Sequence, residues 1–340
     1  MPLASPCPSP WRRLALALAA GAALIAAPAL ARVEKIVVHS PAVEGNLEGN
    51  SPDRTVYVVL PDSYDAKGAK RRRFPVLYFL HGFTATADRY MGYVAFEAAL
   101  KASRQDLILV VPDSHTRFGG SMYSNSPTVG NFEDYIVVDL VRWIDGHYRT
   151  LARRESRGLA GHSMGGYGTF KLGMKHADLF GALYAMNPCC LTPRPVETAD
   201  PGFEALTLEQ ALAGEFNTIG NFAVAAAWSP NPQKPPFYSD LATSNGKPVP
   251  SVLAQWWANA PQAMAGQYVG ALRSMAGIAI DTGTTDFVKF EADGMHDQLG
   301  KLGVVHQFEV YEGDHGNKVP ERFASRVLPF FAAHLRPTGK

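Results

Sequence analysis

Gly161-His162-Ser163-Met164-Gly165 sets a serine between two glycines in the pattern Gly-x-Ser-x-Gly, with a third glycine, Gly166, behind it. A serine in such a turn can act as a nucleophile when the turn is tight enough to project its hydroxyl away from the backbone. The flanks are of the right kind. Gly158-Leu159-Ala160 is a short apolar run suited to a buried strand, and Tyr167 to His176 reads as a helix with Phe170, Leu172 and Met174 among its apolar positions. Glycines at 161 and 165 let strand and helix approach without Cβ clashes. The start of that helix then lies beside the serine, where unpaired N–H groups favour developing negative charge.

A serine nucleophile needs a base, and the base needs an acid to orient it. Behind a Gly-x-Ser-x-Gly turn the acid comes first along the chain and the histidine after it. Five histidines follow Ser163: His176, His296, His306, His315 and His334. His315 sits in Glu312-Gly313-Asp314-His315-Gly316, a loop just past a predicted strand, and is the expected base. His176 ends the helix of the serine, His306 falls within the strand predicted over 304–311, and His296 and His334 fall on predicted helices. Asp286, in the loop Gly283-Thr284-Thr285-Asp286, ranks first as the acid. Asp281, at the end of the preceding strand, ranks second, and Asp314 is poorly placed to curl back onto the neighbouring ring.

An oxyanion would be held by backbone N–H groups: that of Met164, after the nucleophile, and that of Phe83, in the turn behind His81-Gly82. His81, Ser121, Tyr123, Trp228, Trp256 and Trp257 are further candidates for contact with substrate. The chain has no His-Glu-x-x-His pair and no cysteine cluster, so neither a metal nor another cofactor is expected.

The elements that must position these residues alternate between strand and helix. Continuous apolar runs over 33–39, 55–60, 74–80, 107–111, 180–186, 278–281 and 304–311 read as strands. Residues 95–102, 132–148, 287–302 and 320–335 read as helices. The pattern implies a mainly parallel α/β sheet covered on both faces. His81, Ser163, Asp286 and His315 all fall just past the ends of strands, where such sheets carry their functional residues. Residues 191–276 break the alternation. They read as short helices separated by prolines, with no clear strand, and are expected to form a helical cap-like insertion carrying Trp228, Phe237, Tyr238, Trp256 and Trp257.

The 340 residues are 46% hydrophobic and 19% charged with a net charge of +1, which suits one large domain and gives no case for nucleic acid. The basic run Lys70-Arg71-Arg72-Arg73 reads as a solvated loop. At the N-terminus, Arg12-Arg13 precede an apolar stretch from Leu14 to Ala27, and Pro28-Ala29-Leu30-Ala31 supplies small residues of the A-x-A type. These are the parts of a secretory leader, with cleavage expected after Ala31, a single domain over 32–340, a secreted or periplasmic location and no stable membrane anchor. The apolar stretch is too short for a permanent span. Beyond the leader only Cys189 and Cys190 remain, as small buried thiols, a vicinal disulfide or a link to another chain.

The stretches Phe74-Pro75-Val76-Leu77-Tyr78-Phe79-Leu80-His81-Gly82, Phe132-Glu133-Asp134-Tyr135-Ile136, Gly161-His162-Ser163-Met164-Gly165-Gly166-Tyr167-Gly168, Gly283-Thr284-Thr285-Asp286-Phe287 and Asp314-His315 resemble the esterase D-like family of α/β hydrolases. That family includes S-formylglutathione hydrolases, feruloyl and acetyl xylan esterases and mycolyltransferases of the antigen 85 type. The resemblance implies an α/β-hydrolase fold and a serine hydrolase of ester bonds without cofactor, acting on a small-molecule or polymer-linked ester. It carries Ser163 over as nucleophile, Asp286 as acid and His315 as base. Thioester hydrolysis and acyl transfer by the same three residues are the alternatives it leaves, with a non-catalytic binding protein the remotest.

Overall fold

The structure, a computed structural model, describes residues 32–192 and 201–337; the expected leader and residues 193–200 of the insertion lie outside them. Eight strands form one sheet: β1 (Arg32–His39), β2 (Asp53–Leu60), β3 (Val76–Leu80), β4 (Ile108–Pro112), β5 (Arg157–His162), β6 (Ala182–Met186), β7 (Gly277–Gly283) and β8 (Gln307–Tyr311). Their order is β1-β2-β4-β3-β5-β6-β7-β8. Only β2 is antiparallel to its neighbours; all other pairs are parallel.

The apolar runs are continuous because both faces of the sheet are covered. On β3, Val76, Tyr78 and Leu80 enter one core while Leu77 and Phe79 enter the other. The second face is covered by α1 (Ala87–Val94), α2 (Phe96–Ser103) and the closing helix, through Tyr90, Phe96, Phe323 and Phe331. On the first face lie α3, which runs through Phe132–Asp134, Tyr135–Leu140 and Val141–His147, then α4 (Met164–Lys175), the helix behind the serine. They contribute Ile136, Ile144, Tyr167 and Phe170.

Several local expectations change. The helix expected over 95–102 is preceded by α1, whose start is capped by Thr86 accepting from the Arg89 N–H (3.2 Å); Ala95, at φ +52°, separates the two. The middle segment of α3 is a π-type turn. Strand β8 begins at Gln307, so His306 precedes it, and its Nε2 stands 2.7 Å from Nδ1 of His296 on the helix Lys289–Lys301.

Between β6 and β7 the described residues form six short helices: α5 (Pro201–Glu204), α6 (Leu208–Leu212), α7 (Phe216–Trp228), α8 (Pro250–Ala258), α9 (Pro261–Met264) and α10 (Val269–Arg273). They also form a two-residue antiparallel pair, Thr243–Ser244 with Lys247–Pro248. The turn of that pair is Asn245-Gly246, both at positive φ, a dipeptide that favours tight hairpins even where no apolar run announces a strand. Among the described residues no helix is long and apolar enough to cross a membrane.

Candidate active site

Strand β5 is central, paired with β3 on one side and β6 on the other. The chain leaves it at His162, turns through Ser163 and enters α4 at Met164. Ser163 has φ +58° and ψ −117°, a backbone conformation that costs a non-glycine residue on the order of 1–3 kcal/mol and is kept only where neighbours impose it. Those neighbours are visible. Ser163 N–H donates to the Met186 carbonyl (3.0 Å), and the Ser163 carbonyl accepts from Tyr167 N–H (3.1 Å) and Cys189 N–H (3.3 Å). A Cβ on Gly161 would overlap the Gly165 carbonyl, and one on Gly165 would overlap the Leu80 carbonyl. Strand, turn and helix therefore close only around glycine at both places.

The three residues expected to act together are joined. His315 Nδ1–H donates to Asp286 Oδ1 (2.8 Å), and His315 Nε2 lies 2.9 Å from Ser163 Oγ. The Asp286 side chain is wholly covered, and its Oδ1 also accepts from Val288 N–H (2.9 Å). Because Nδ1 carries the hydrogen, Nε2 is free to accept from the serine hydroxyl. Asp281, the second choice of acid, is committed elsewhere: its Oδ2 accepts from Arg322 Nε (2.6 Å) and Tyr184 OH (2.9 Å). Asp314 instead caps its own turn, accepting from Gly316 N–H (2.8 Å) and Asn317 N–H (2.7 Å).

The loop that carries His315 is pinned by side chains that reading the sequence did not single out. His162 Nε2–H donates to the His315 carbonyl (2.7 Å), which leaves Nδ1 to accept from Tyr90 OH (2.5 Å). Burial pushes the His162 ring down to about 3, so it is neutral at ordinary pH. Asn187, just past β6, donates to the carbonyls of both Asp314 and His315 (3.0 Å each) and accepts from Tyr311 OH (2.6 Å). Tyr93 OH donates to the Gly316 carbonyl. The signal for Asn187 was its place at a strand end, and that for His162 was its place inside the motif.

The Gly82-Phe83 turn adjoins the serine: a Cβ on Gly82 would stand 3.3 Å from Ser163 Cβ. Thr84 N–H is spent on the Gly119 carbonyl (2.9 Å), whereas among the described residues neither Phe83 N–H nor Met164 N–H meets an acceptor. Met164 is the first residue of α4, where an N–H has no partner within the helix. Two exposed apolar rings pack on residues of this region. Phe216 of α7 is 53% exposed and packs on Phe83 at 5.4 Å; Phe287 is 64% exposed and packs on the His315 ring at 4.6 Å.

Of the remaining candidates for substrate contact, His81, Ser121 and Tyr123 take other places, which corrects the expectation for those three. His81, Ser121 and Tyr123 are enclosed, and their polar atoms serve the chain itself. His81 Nε2 accepts from Ser114 N–H (2.7 Å), Ser121 Oγ accepts from Tyr123 N–H (3.1 Å), and Tyr123 OH donates to the His81 carbonyl (2.9 Å). The indole N–H of Trp228 donates to Ser124 Oγ (3.1 Å), fastening α7 to the body, and that of Trp256 donates to Ser229 Oγ (2.9 Å). Trp257 is 52% exposed. Among the described residues no group of histidine, cysteine and carboxylate side chains is arranged to hold a metal ion.

The profile of the family described as "Putative esterase" matches residues 50–324. An esterase of Mycobacterium tuberculosis is 32% identical over 129 residues, which are 37% of this chain and 27% of that protein. Mouse S-formylglutathione hydrolase is 26% identical over 141 residues, 36% of this chain and 49% of that one. The chain thus spans between about a quarter and a half of the length of these curated relatives. Among solved structures, a ferulic acid esterase superposes with a TM-score of 0.63 at 22% identity, covering 91% of this chain and 98% of its own. An S-formylglutathione hydrolase from Agrobacterium tumefaciens gives 0.63 at 17%, covering 91% and 97%, and M. tuberculosis MPT51 gives 0.60 at 17%, covering 89% and 99%. The shared architecture is the α/β-hydrolase fold.

Proposed function

This chain belongs to the esterase family whose profile spans residues 50–324, an ester-hydrolysing family, and from that premise we propose that it is an exported serine carboxylesterase working through an acyl-enzyme on Ser163. The observation that carries the reading is the His315 ring bridging Ser163 Oγ at 2.9 Å and Asp286 Oδ1 at 2.8 Å.

In this mechanism His315 Nε2 takes the Ser163 proton as Oγ bonds to the ester carbonyl carbon. The carbonyl oxygen becomes an oxyanion held by the N–H groups of Phe83 and Met164, each such donor being worth roughly 10²–10³ in rate. Asp286 stabilises the charged imidazole and keeps it in the required tautomer. His315 then gives its proton to the leaving alcohol as the bond to it breaks. Water attacks the acyl-serine, its proton passing to His315 and on to Ser163 Oγ, and the carboxylic acid leaves. No proton is gained or lost over the cycle.

The exposed rings of Phe216 and Phe287 support an ester with an apolar acyl or aryl part, since large exposed apolar groups beside a polar site mark where apolar surface docks. Export rests on the leader-like segment 1–31; N-terminal sequencing of protein collected outside the cytoplasm is expected to begin at Arg32, retention of residues 1–31 on it would overturn cleavage after Ala31, and absence of the protein from that fraction would count against export.

The deciding experiment measures hydrolysis of p-nitrophenyl esters from acetyl to long chain, methyl ferulate and S-formylglutathione by the wild type and Ser163→Ala. The substitution is expected to lower turnover by roughly 10⁴-fold or more and to abolish fluorophosphonate labelling. Full activity in Ser163→Ala would overturn the assignment. Labelled Ser163 without turnover on any ester, and product only when an alcohol acceptor is added, would indicate acyl transfer instead.

A further inference from the structure

Behind β6 the chain turns through Asn187-Pro188-Cys189-Cys190-Leu191, and the first three residues of this turn meet the groups around Ser163. Asn187 holds the carbonyls of Asp314 and His315. Pro188 lies against Gly166, where an added Cβ would stand 2.8 Å from Pro188 Cβ. Cys189 N–H donates to the Ser163 carbonyl (3.3 Å). Leu191 N–H donates to the buried Glu291 carboxylate.

Within this turn Cys189 Sγ and Cys190 Sγ are 2.7 Å apart, nearer than two unbonded sulfurs settle. Cys190 adopts φ +62°, uncommon outside glycine, and in that conformation the two adjacent side chains converge rather than alternate. The remaining cysteine, Cys7, lies in the leader-like segment. Cys189 is buried and Cys190 is partly accessible.

We propose that Cys189 and Cys190 are a thiol pair that oxidises to a vicinal disulfide beside the nucleophile. The oxidant is a small-molecule or protein disulfide, R–S–S–R. The accessible Cys190 thiolate attacks one of its sulfurs, forming the Cys190–S–S–R mixed disulfide and releasing one R–SH after protonation. Buried Cys189 then attacks Cys190 Sγ, closing the ring and releasing the second R–SH. Two thiols are oxidised, one external disulfide is reduced, and both cysteine protons leave with the two R–SH molecules. The closed ring fixes the turn that holds the Ser163 carbonyl from one end and the His315 loop from the other.

The test treats the full chain with oxidised glutathione, alkylates it without reductant, and determines the mass of the proteolytic fragment carrying both cysteines. The expected fragment is two hydrogens lighter than its sequence and carries no alkyl group; after dithiothreitol it takes two. Two alkyl groups without reductant, a stable glutathione adduct on Cys190, or a disulfide-linked dimer would each overturn the proposal. Cys189→Ser is expected to stop at the glutathione adduct on Cys190, which separates the order of attack from a failure to fold. None of these readouts depends on turnover, so the pair stands or falls apart from the esterase reading.

Discussion

Ser163 and the residue before it both touch His315, one through the ring and the other through the backbone. Ser163 Oγ meets Nε2 at 2.9 Å, while the neutral His162 ring donates to the His315 carbonyl at 2.7 Å. One dipeptide thereby sets the distance between Ser163 Oγ and the His315 ring, which makes His162 a positioning residue under the proposed mechanism. His162→Phe leaves that carbonyl to Asn187 alone and is expected to lower kcat by about 10²-fold with KM little changed, since a small misplacement of a reacting group costs that much. His162→Gln, which keeps an N–H donor, is expected to recover part of the loss; equal falls in both variants, or a change confined to KM, would remove the positioning role. The same residue ties stability to pH. Its ring titrates near 6.5 when unfolded but only at about 3 in the fold, so the unfolded chain binds the extra proton first. The contribution is present in full above about pH 6.5 and is lost progressively as pH falls toward 3. Melting temperatures measured over that window are expected to fall less steeply for His162→Gln than for the wild type.

At the scale of elements, the β5–α4 junction works because two backbones come closer than any side chain permits. Gly165, in the first turn of α4, faces the Leu80 carbonyl on β3, a strand held in the sheet by its pairing with β5. Gly165→Ala is expected to destabilise by about 3 kcal/mol or more, as overpacking against backbone leaves no low-energy relaxation. Gly300→Ala is the control. Its Cβ would meet nothing within 4 Å in the last turn of the helix Lys289–Lys301, and replacing a helical glycine there is expected to stabilise by about 0.4–1 kcal/mol. Urea midpoints of the two variants give the comparison, and a Gly165→Ala protein as stable as the wild type would remove the close-approach argument.

For the whole molecule, the mouth of the site is assembled from parts far apart in the chain. Phe83 follows β3, Phe216 belongs to the insertion and Phe287 follows β7, yet Phe216 packs on Phe83 and Phe287 packs on His315. Removing either exposed ring takes apolar surface from a docking substrate without touching the reacting groups. Phe216→Ala and Phe287→Ala are each expected to lower kcat/KM for long-chain or aryl esters by roughly 10-fold, with little change for the acetyl ester. Equal losses across all chain lengths would indicate that the rings support the fold rather than the substrate. The insertion that brings Phe216 here is tied to the body by Trp228 on Ser124, Ser126 Oγ on the Ala226 carbonyl (2.6 Å), and buried Lys171 of α4 on Asn259 Oδ1 (2.9 Å).

The chain's own order of residues was enough for the sheet and for the three residues that meet at its strand ends. Continuous apolar runs mark strands buried on both faces, Gly-x-Ser-x-Gly marks a turn that only glycine can close, and His315 stands alone among the later histidines in a loop past a strand. Asp286 could be ranked over Asp281 by its loop position, but only the structure shows why: Arg322 and Tyr184, distant in sequence, already occupy Asp281. The same limit explains the misplaced candidates. His81, Ser121 and Tyr123 occur where substrate contacts are expected, yet whether a polar side chain faces a cleft or a carbonyl depends on packing that no local pattern records. His162 and Asn187 carry no spacing that points to His315, because their bonds run to its backbone carbonyl, a group every residue possesses, and Tyr311 reaches that loop only through the Asn187 side chain. Periodicity and motif therefore determine which elements form and what chemistry they can offer. The tertiary structure decides which donors and acceptors find one another, since that choice rests on three-dimensional distances between residues from tens to more than a hundred positions apart.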